Sequence, residues 1–247
     1  MLKRSGIVSQ AVFATACCGN IGGPYSPWGA ESGVSMQALD HAHYLALVQG
    51  AEVLEADGTG DKVLRLNDGS MLKLFRRKRL ISSAAWYPYA KRFADNCLTL
   101  AKRAIPCPHV RTVYRIADIA RDAVHYDPLA GHTLRQLLGK AASDDDLRMQ
   151  LGRFIANLHE KGVYFRSAHL GNVILTPEGT LGLIDIADLK TYRRPLRKNL
   201  RLRNFKHMLR YLEDRQWLLG DGNPAFLNGY LSGQSVCAAA ELTQAMN

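Results

Sequence analysis

No stretch of the chain approaches the roughly 18 consecutive apolar residues that a membrane-spanning helix needs. The longest apolar runs are interrupted by Arg, Lys, Asp or Gly within a few positions, which excludes a helix crossing a bilayer. The five cysteines, Cys17, Cys18, Cys97, Cys107 and Cys237, form no CxxC pair and have no histidine at zinc spacing. That pattern excludes a disulfide framework or a zinc module, and it points to reduced thiols in a cytoplasmic protein. No internal repeat is present, and neither a helix-turn-helix nor an aromatic RNA-binding signature accompanies the basic residues. With 47% hydrophobic and 22% charged residues in 247, the chain can bury a sizeable core and is not of disordered composition.

Acids are the scarcer charge, 22 against 32 Lys and Arg, for a net +10. The excess is concentrated. Residues 71–103 hold nine basic residues against Asp95 alone, and residues 190–215 hold ten against Glu213 and Asp214. Such fields favour anionic partners, whether phosphates, nucleic acid or an anionic membrane surface.

Residues 1–35 differ in texture from the rest, with a Gly-, Pro- and Ser-rich tract from Gly19 to Ser35 and no apolar core of signal-peptide length. They read as a disordered or non-native extension. A leading helix is expected over 36–50, because Leu39, His43, Leu45, Leu47 and Val48 follow a near-helical spacing. From Ala51 the period is two, broken by Asp57-Gly58-Thr59-Gly60 and Asn67-Asp68-Gly69-Ser70, which predicts an antiparallel meander. A helix is expected from Ser82 to Ala104, ended by Pro106 and Pro108, then strands Val110–Arg115 and Asp122–Tyr126. A helix over Thr133–Lys140 follows, and another begins at an Ser143 N-cap and runs to Lys161. Strands Val173–Leu175 and Leu181–Ile184 flank the turn Thr176-Pro177-Glu178-Gly179, and from Leu196 the chain is helical and very basic.

Two stretches carry the chemistry. Phe165-Arg166-Ser167-Ala168-His169-Leu170-Gly171-Asn172-Val173-Ile174-Leu175 resembles the catalytic loop of small-molecule kinases of the aminoglycoside and lipopolysaccharide-core type. Leu183-Ile184-Asp185-Ile186-Ala187-Asp188 resembles their metal-binding segment. Over about residues 51–211 the chain is similar to bacterial lipopolysaccharide kinases, including those labelled toluene-tolerance proteins. The resemblance implies an α+β, two-lobed protein-kinase-like fold. Its N lobe, at 51–128, would be a small antiparallel sheet. A connector at 129–131, a mainly helical C lobe at 132–235 and a tail at 236–247 would follow. It implies ATP and Mg²⁺ as cofactors, with Lys73 on the phosphates, Gly58 and Gly60 in the phosphate-covering hairpin, and Asn172 and Asp185 as metal ligands. Asp188 is an auxiliary candidate. Asn96, beside Asp95, stands where the glutamate partner of the lysine is expected, so either residue is a candidate to orient Lys73.

The sequence departs from the family at the catalytic aspartate, whose place is taken by Ser167. A serine hydroxyl is no proton acceptor near neutral pH. His169 is the only other titratable side chain between Arg166 and Asn172, and is the candidate substitute base. Phosphoryl transfer depends chiefly on positioning and charge, so two readings stay open: a phosphotransferase acting on a sugar hydroxyl of an envelope glycolipid, and a pseudokinase that binds nucleotide or a protein partner in cell-envelope biogenesis. The eight basic residues between Arg193 and Arg210, with no acid among them, suit a phosphate-rich acceptor such as lipopolysaccharide core or another anionic glycolipid. Arg193, Arg194, Arg197, Lys198 and Arg201 are the candidate acceptor contacts. Peripheral contact with the inner membrane surface fits the same charge; nucleic acid does not find a matching motif.

Overall fold

The structure, a computed structural model, describes residues 34–77, 87–138, 144–222, 224–233, 236–237 and 239–246. The expected extension therefore lies almost wholly outside the described residues, as do the start of the Ser82 helix and the Ser143 cap. The chain is α+β. A six-stranded sheet makes one lobe and a mainly helical assembly the other, the two-lobed arrangement implied for a protein-kinase-like chain.

The sheet runs in the order β1-β5-β6-β4-β3-β2. Strands β2 (Glu52–Asp57), β3 (Gly60–Arg65) and β4 (Met71–Arg76) form the meander, with antiparallel pairing throughout. Its first turn is closed by Asp57, whose Oδ1 accepts from the Thr59 N–H at 2.8 Å and the Thr59 hydroxyl at 2.6 Å. β5 (His109–Ile116) and β6 (Arg121–Asp127) complete the centre, β6 lying between β5 and β4.

Met36 does not open a helix. Met36–Ala38 is a strand, β1, that runs parallel to β5 and covers its otherwise unpaired edge. The helix begins only after Asp40, whose side chain accepts from the His43 N–H at 2.9 Å, so α1 spans His41–Val48. The expected leading helix is thus a strand and a shorter helix, both packed on the N lobe.

Alternation along β4 decides which face each residue serves. Leu72 and Leu74 join Tyr44 of α1, Leu64, Leu66, Ile116 and Ala123 in a core on the outer face. Met71 joins Val113, Val124 and Tyr126 on the inner face, and Lys73 points the same way by the two-residue period. Helix α2 (Tyr89–Lys102) packs on that inner face through Ala90, Phe93, Ala94, Cys97 and Leu100, spaced as a helical stripe. It starts after Pro88, which is in an extended conformation, and ends before Ile105-Pro106. This core continues through Ile105 into the C lobe.

In the C lobe, β7 (His132–Thr133) leads into the single turn α3 (Leu134–Leu137), much shorter than the helix expected there. A capping box between Thr133 and Gln136 starts that turn. Helix α4 (Asp144–Glu160) crosses α7 (Ala225–Ser232) so closely that a Cβ on Gly152 would lie 2.1 Å from the Phe226 carbonyl oxygen, and one on Gly229 2.1 Å from that of Met149. β8 (Val163–Tyr164) follows, and after it β9 (Val173–Leu175) and β10 (Leu181–Leu183), which form a hairpin sheet with β7. β11 (Lys190–Thr191) pairs with β8. The basic stretch forms α5 (Lys198–Met208), followed by α6 (Leu212–Leu219), and α8 (Ala239–Met246) ends the described chain.

A buried polar network sets α5 against the rest. His159, fully buried on α4, bonds Tyr230 Oη at 2.9 Å through Nδ1 and Asn204 Oδ1 at 3.1 Å through Nε2. Asn204 then donates to the Phe165 carbonyl at 2.8 Å, tying α5 to the start of the loop that carries Ser167. Burial holds the His159 imidazole down at about 3, so it is neutral in this network.

Candidate functional site

Lys73 reaches across from the sheet to Asp185, with Nζ 2.5 Å from Oδ1. Asp185 follows β10 after one residue, Ile184, and is in the left-handed conformation (φ 52°, ψ 46°), an arrangement aspartate tolerates better than most residues. The two residues close one end of a narrow cleft between the lobes, open to solvent. Its other walls are largely apolar and include Met71, Phe93, Tyr126, Leu129, Ile174 and Ile184. Apolar walls beside a lysine and an aspartate suit a ligand that is apolar in one part and anionic in another.

Asn172 sits beside Asp185 because its carbonyl accepts the Ile184 N–H at 3.0 Å. Its side-chain Nδ2 donates to the Ser167 carbonyl at 3.0 Å and to His169 Nε2 at 3.3 Å, which directs the amide NH₂ into the loop and leaves Oδ1 as its outward group. The Asp185 carboxylate is exposed. A carboxylate and an amide oxygen are a suitable pair for Mg²⁺, which takes oxygen donors, commonly one or two from protein and the rest from phosphate and water.

Ser167 donates its hydroxyl to Asp188 Oδ2 at 2.9 Å. The other Asp188 oxygen is shielded from solvent and bonded to nothing among the described residues. Burial pushes the Asp188 carboxyl up, the Ser167 hydrogen bond opposes that, and the Asp185 charge adds to it. His169 stands apart from this pair. With the Asn172 amide donating to Nε2, the imidazole's lone pair is engaged, and its ring lies edge-on to Tyr211 at 5.1 Å. Burial, followed by the charge of Arg135, holds its pKa down. The acceptor bonded to the Ser167 hydroxyl is Asp188, and the His169 ring bonds Asn172 instead.

The loop is pinned from below by Asp214 on α6, which is fully buried and accepts the Leu170 N–H at 2.9 Å. Arg135 donates to Asp214 at 2.7, 2.8 and 3.0 Å and lies over Tyr211, which has Arg210 over it as well, each guanidinium 4.8 Å from the ring centre. Short-range motifs gave no sign of this group. The one available signal was the pair of acids, Glu213 and Asp214, inside an otherwise basic run.

Several expected site residues are placed elsewhere. Asn96 does not face Lys73. It donates to the carbonyls of Ile186 at 2.7 Å and Leu189 at 3.2 Å, so it fastens the segment after Asp185 to α2. Asp95 is likewise occupied, by Tyr87 Oη at 2.8 Å and Lys91 at 2.9 Å, and leaves Lys73 to Asp185. Gly58 and Gly60 do not line the cleft; Arg121 ties their turn back by donating to the Thr59 carbonyl at 2.8 Å. Arg201 is no acceptor contact: it is fully buried, donates to the Leu196 carbonyl at 2.8 Å and pairs with Glu160 at 2.8 Å. Lys198 pairs with Glu241. Arg193, Arg194 and Arg197 are exposed.

No protein-family model matches the chain, and no curated protein does. Solved structures of WbdD, described as a bifunctional kinase-methyltransferase, are similar to it. One has 16% identity and a TM-score of 0.42, covering 74% of this chain and 43% of that one. A complex of WbdD with the kinase inhibitor LY294002 has 16% identity and a TM-score of 0.41, covering 76% and 41%. This chain thus spans about two fifths of the WbdD chains' length. Likeness at that level speaks to neither activity nor substrate. Among the described residues no helix is long and apolar enough to cross a membrane.

Proposed function

We propose that the protein is an ATP-dependent phosphotransferase of the lipopolysaccharide-core kinase type, transferring phosphate to a sugar hydroxyl of an anionic envelope glycolipid. The observation that carries this reading is the Lys73–Asp185 pair at 2.5 Å, closing the charged end of an apolar cleft. A lysine from the sheet and an aspartate from the helical lobe suit two halves of one ligand, phosphate oxygens for Lys73 and a phosphate-bound cation for Asp185. Asp185 and the Asn172 amide oxygen would hold Mg²⁺, which supplies charge neutralisation of the phosphates when bound.

The chain's own residues then divide the work. Met71, Tyr126 and Leu129 offer the base apolar surface. Lys73 releases Asp185 and holds phosphate oxygens. Ser167, already donating to Asp188, has lone pairs left to accept from an acceptor hydroxyl. As that hydroxyl's proton passes to Ser167 Oγ, the serine proton passes to Asp188 Oδ2, so the carboxylate missing from the loop is replaced by one from the segment after β10. A loose transition state asks little of the base, and this relay suits it.

The second reading, a pseudokinase binding nucleotide or a partner without turnover, is favoured by one observation, the serine at the aspartate position. Thermal melting with ATP, with and without Mg²⁺, followed by an assay of phosphate transfer to a lipopolysaccharide-core preparation, separates the two. Metal-dependent stabilisation with transfer supports the enzyme; the same stabilisation without transfer supports a nucleotide-binding pseudokinase; no stabilisation sinks the enzyme and leaves only a pseudokinase that binds a partner.

A further inference from the structure

A second concentration of charge flanks the loop that carries Ser167. Arg203, His207 and Arg210 follow one another at i, i+4 and i+7, so they share one side of α5 and of the turn that succeeds it. The Asn204–Phe165 bond holds α5 beside the loop, and Arg166 is the residue that follows Phe165. The charges of Arg166, Arg203 and Arg210 all act on the His207 imidazole, and Asp188 is the acid that opposes them. Arg166 acts on Asp188 as well. Arg166 directly precedes Ser167, and Arg210 lies on the Tyr211 ring that meets His169, so the cluster adjoins the loop that holds the Ser167–Asp188 pair.

Three features make it more than a solvated basic face. Among the described residues, no ion pair joins Arg166, Arg203 or Arg210 to an acid, whereas Arg135, Lys198 and Arg201 each have one. His207 Nε2 is shielded from solvent and bonded to nothing among the described residues. An imidazole nitrogen held from water on a half-buried side chain, with arginines as neighbours, suits an anion's oxygen as its partner. Arg210 is also preset: its guanidinium lies on the Tyr211 ring and donates to Tyr211 Oη at 2.8 Å, so little freedom is lost when it binds. Guanidinium forks and an imidazole N–H converging from two elements match the oxygens of a phosphate.

We infer that Arg166, Arg203, Arg210 and His207 form a site for a phosphomonoester carried by the acceptor, so that the hydroxyl presented to Ser167 belongs to a molecule already phosphorylated elsewhere. The identification of the ligand as the acceptor rests on the function proposed above; the anion site itself does not. It moves acceptor recognition from residues 193–201 to the loop and the far end of α5.

The test is calorimetric titration of the full chain, without nucleotide and at about 0.15 M salt, with inorganic phosphate, glucose 6-phosphate and glucose. Phosphate and glucose 6-phosphate bind and glucose does not. Arg203→Gln/Arg210→Gln weakens both by about tenfold or more, consistent with the loss of charge-assisted contacts. Arg203→Gln alone, at an exposed position, serves if the double variant melts abnormally. Arg76→Gln/Lys102→Gln removes the same charge from exposed positions elsewhere and changes affinity less than about twofold. Equal weakening in both double variants, or none in the first, overturns the site, as does failure of wild type to bind either phosphate. Vesicles of phosphatidylcholine with and without phosphatidic acid separate the sources. Arg203-dependent binding to the phosphatidic acid vesicles, with glucose 6-phosphate unbound, makes the phosphate lipid-borne within the same site. Mg·ATP melting shifts on these proteins keep the two readings apart. An Arg203-dependent phosphate site in a protein that ignores Mg·ATP leaves this inference standing and the kinase reading fallen; an Mg·ATP shift without such a site gives the reverse.

Discussion

Ser167 and Asp188 are joined by a 2.9 Å hydrogen bond, the serine from the catalytic loop and the acid from the turn after Asp185. Placing an aspartate at 167, as in the kinases whose loop this sequence resembles, would therefore not recreate their site, because it would set two carboxylates within contact distance, and one of them would have to stay protonated. Ser167→Asp is expected to transfer phosphate no faster than wild type, and Ser167→Asp/Asp188→Asn at least about tenfold faster than Ser167→Asp. Asp188→Asn alone is expected to slow transfer by about 10²- to 10⁴-fold, the usual contribution of a general base. Single-turnover assays read all three. An active Ser167→Asp with an indifferent Asp188→Asn would return the base to residue 167.

The Lys73–Asp185 pair joins the lobes without being core, since the Asp185 side chain is 51% exposed. Lys73→Met and Asp185→Asn are each expected to melt within a few degrees of wild type. Wild type at an Mg·ATP concentration of about 100 times Kd gains about 2.7 kcal/mol, or roughly 5–10 °C in Tm for a chain of this size. Both variants are expected to lose that gain. Retention of the full shift in either removes the residue from the nucleotide site.

Much of this was legible along the chain, and the limits have physical causes. The meander was readable because Asp57 and Asp68 close their turns with local hydrogen bonds that the sequence spells out. Lys73 and Asp185, 112 positions apart, were readable only through motif resemblance. Met36–Ala38 misled because a strand at a sheet edge is decided by its partner, here Val113 to Arg115, and not by its own period. Arg201 misled because charge counting cannot distinguish an arginine facing water from one sealed by Glu160 and the Leu196 carbonyl. Asn96 was placed near its expected level of α2 but bonds carbonyls after Asp185, a tertiary choice no local pattern encodes.

Asp214 holds the loop through Leu170 N–H and receives the Arg135 fork with no exposure of its own. Removing it leaves Arg135 without its counter-charge and a buried amide unpaired. Asp214→Ala is expected to cost about 3–5 kcal/mol, the usual loss on breaking a buried pair, and to lower Tm by roughly 6–20 °C. Arg135→Met/Asp214→Asn, which removes both charges, is expected to recover part of the loss. Chemical denaturation of the three chains checks this; an unchanged midpoint in Asp214→Ala would mean that the loop is held by other contacts.

His159 is neutral and fully buried between Tyr230 and Asn204, its folded pKa held at about 3 by burial against an unfolded value of about 6.5. The unfolded chain therefore binds the extra proton between those values. The stability tied to this histidine is fully present above about pH 6.5 and declines as pH falls toward 3. Each pH unit within that window is worth about 1.4 kcal/mol, so cooling the pH from 6.5 to 5 should remove about 2 kcal/mol, before most carboxylates titrate. His125, His169 and His207 are also shifted down and add to the slope with the same sign. Urea midpoints of wild type and His159→Gln between pH 7 and 5 isolate the His159 part. The variant is expected to be less stable at pH 7 but to lose less on acidification, and parallel slopes for the two chains would show that His159 accepts its proton in the folded state.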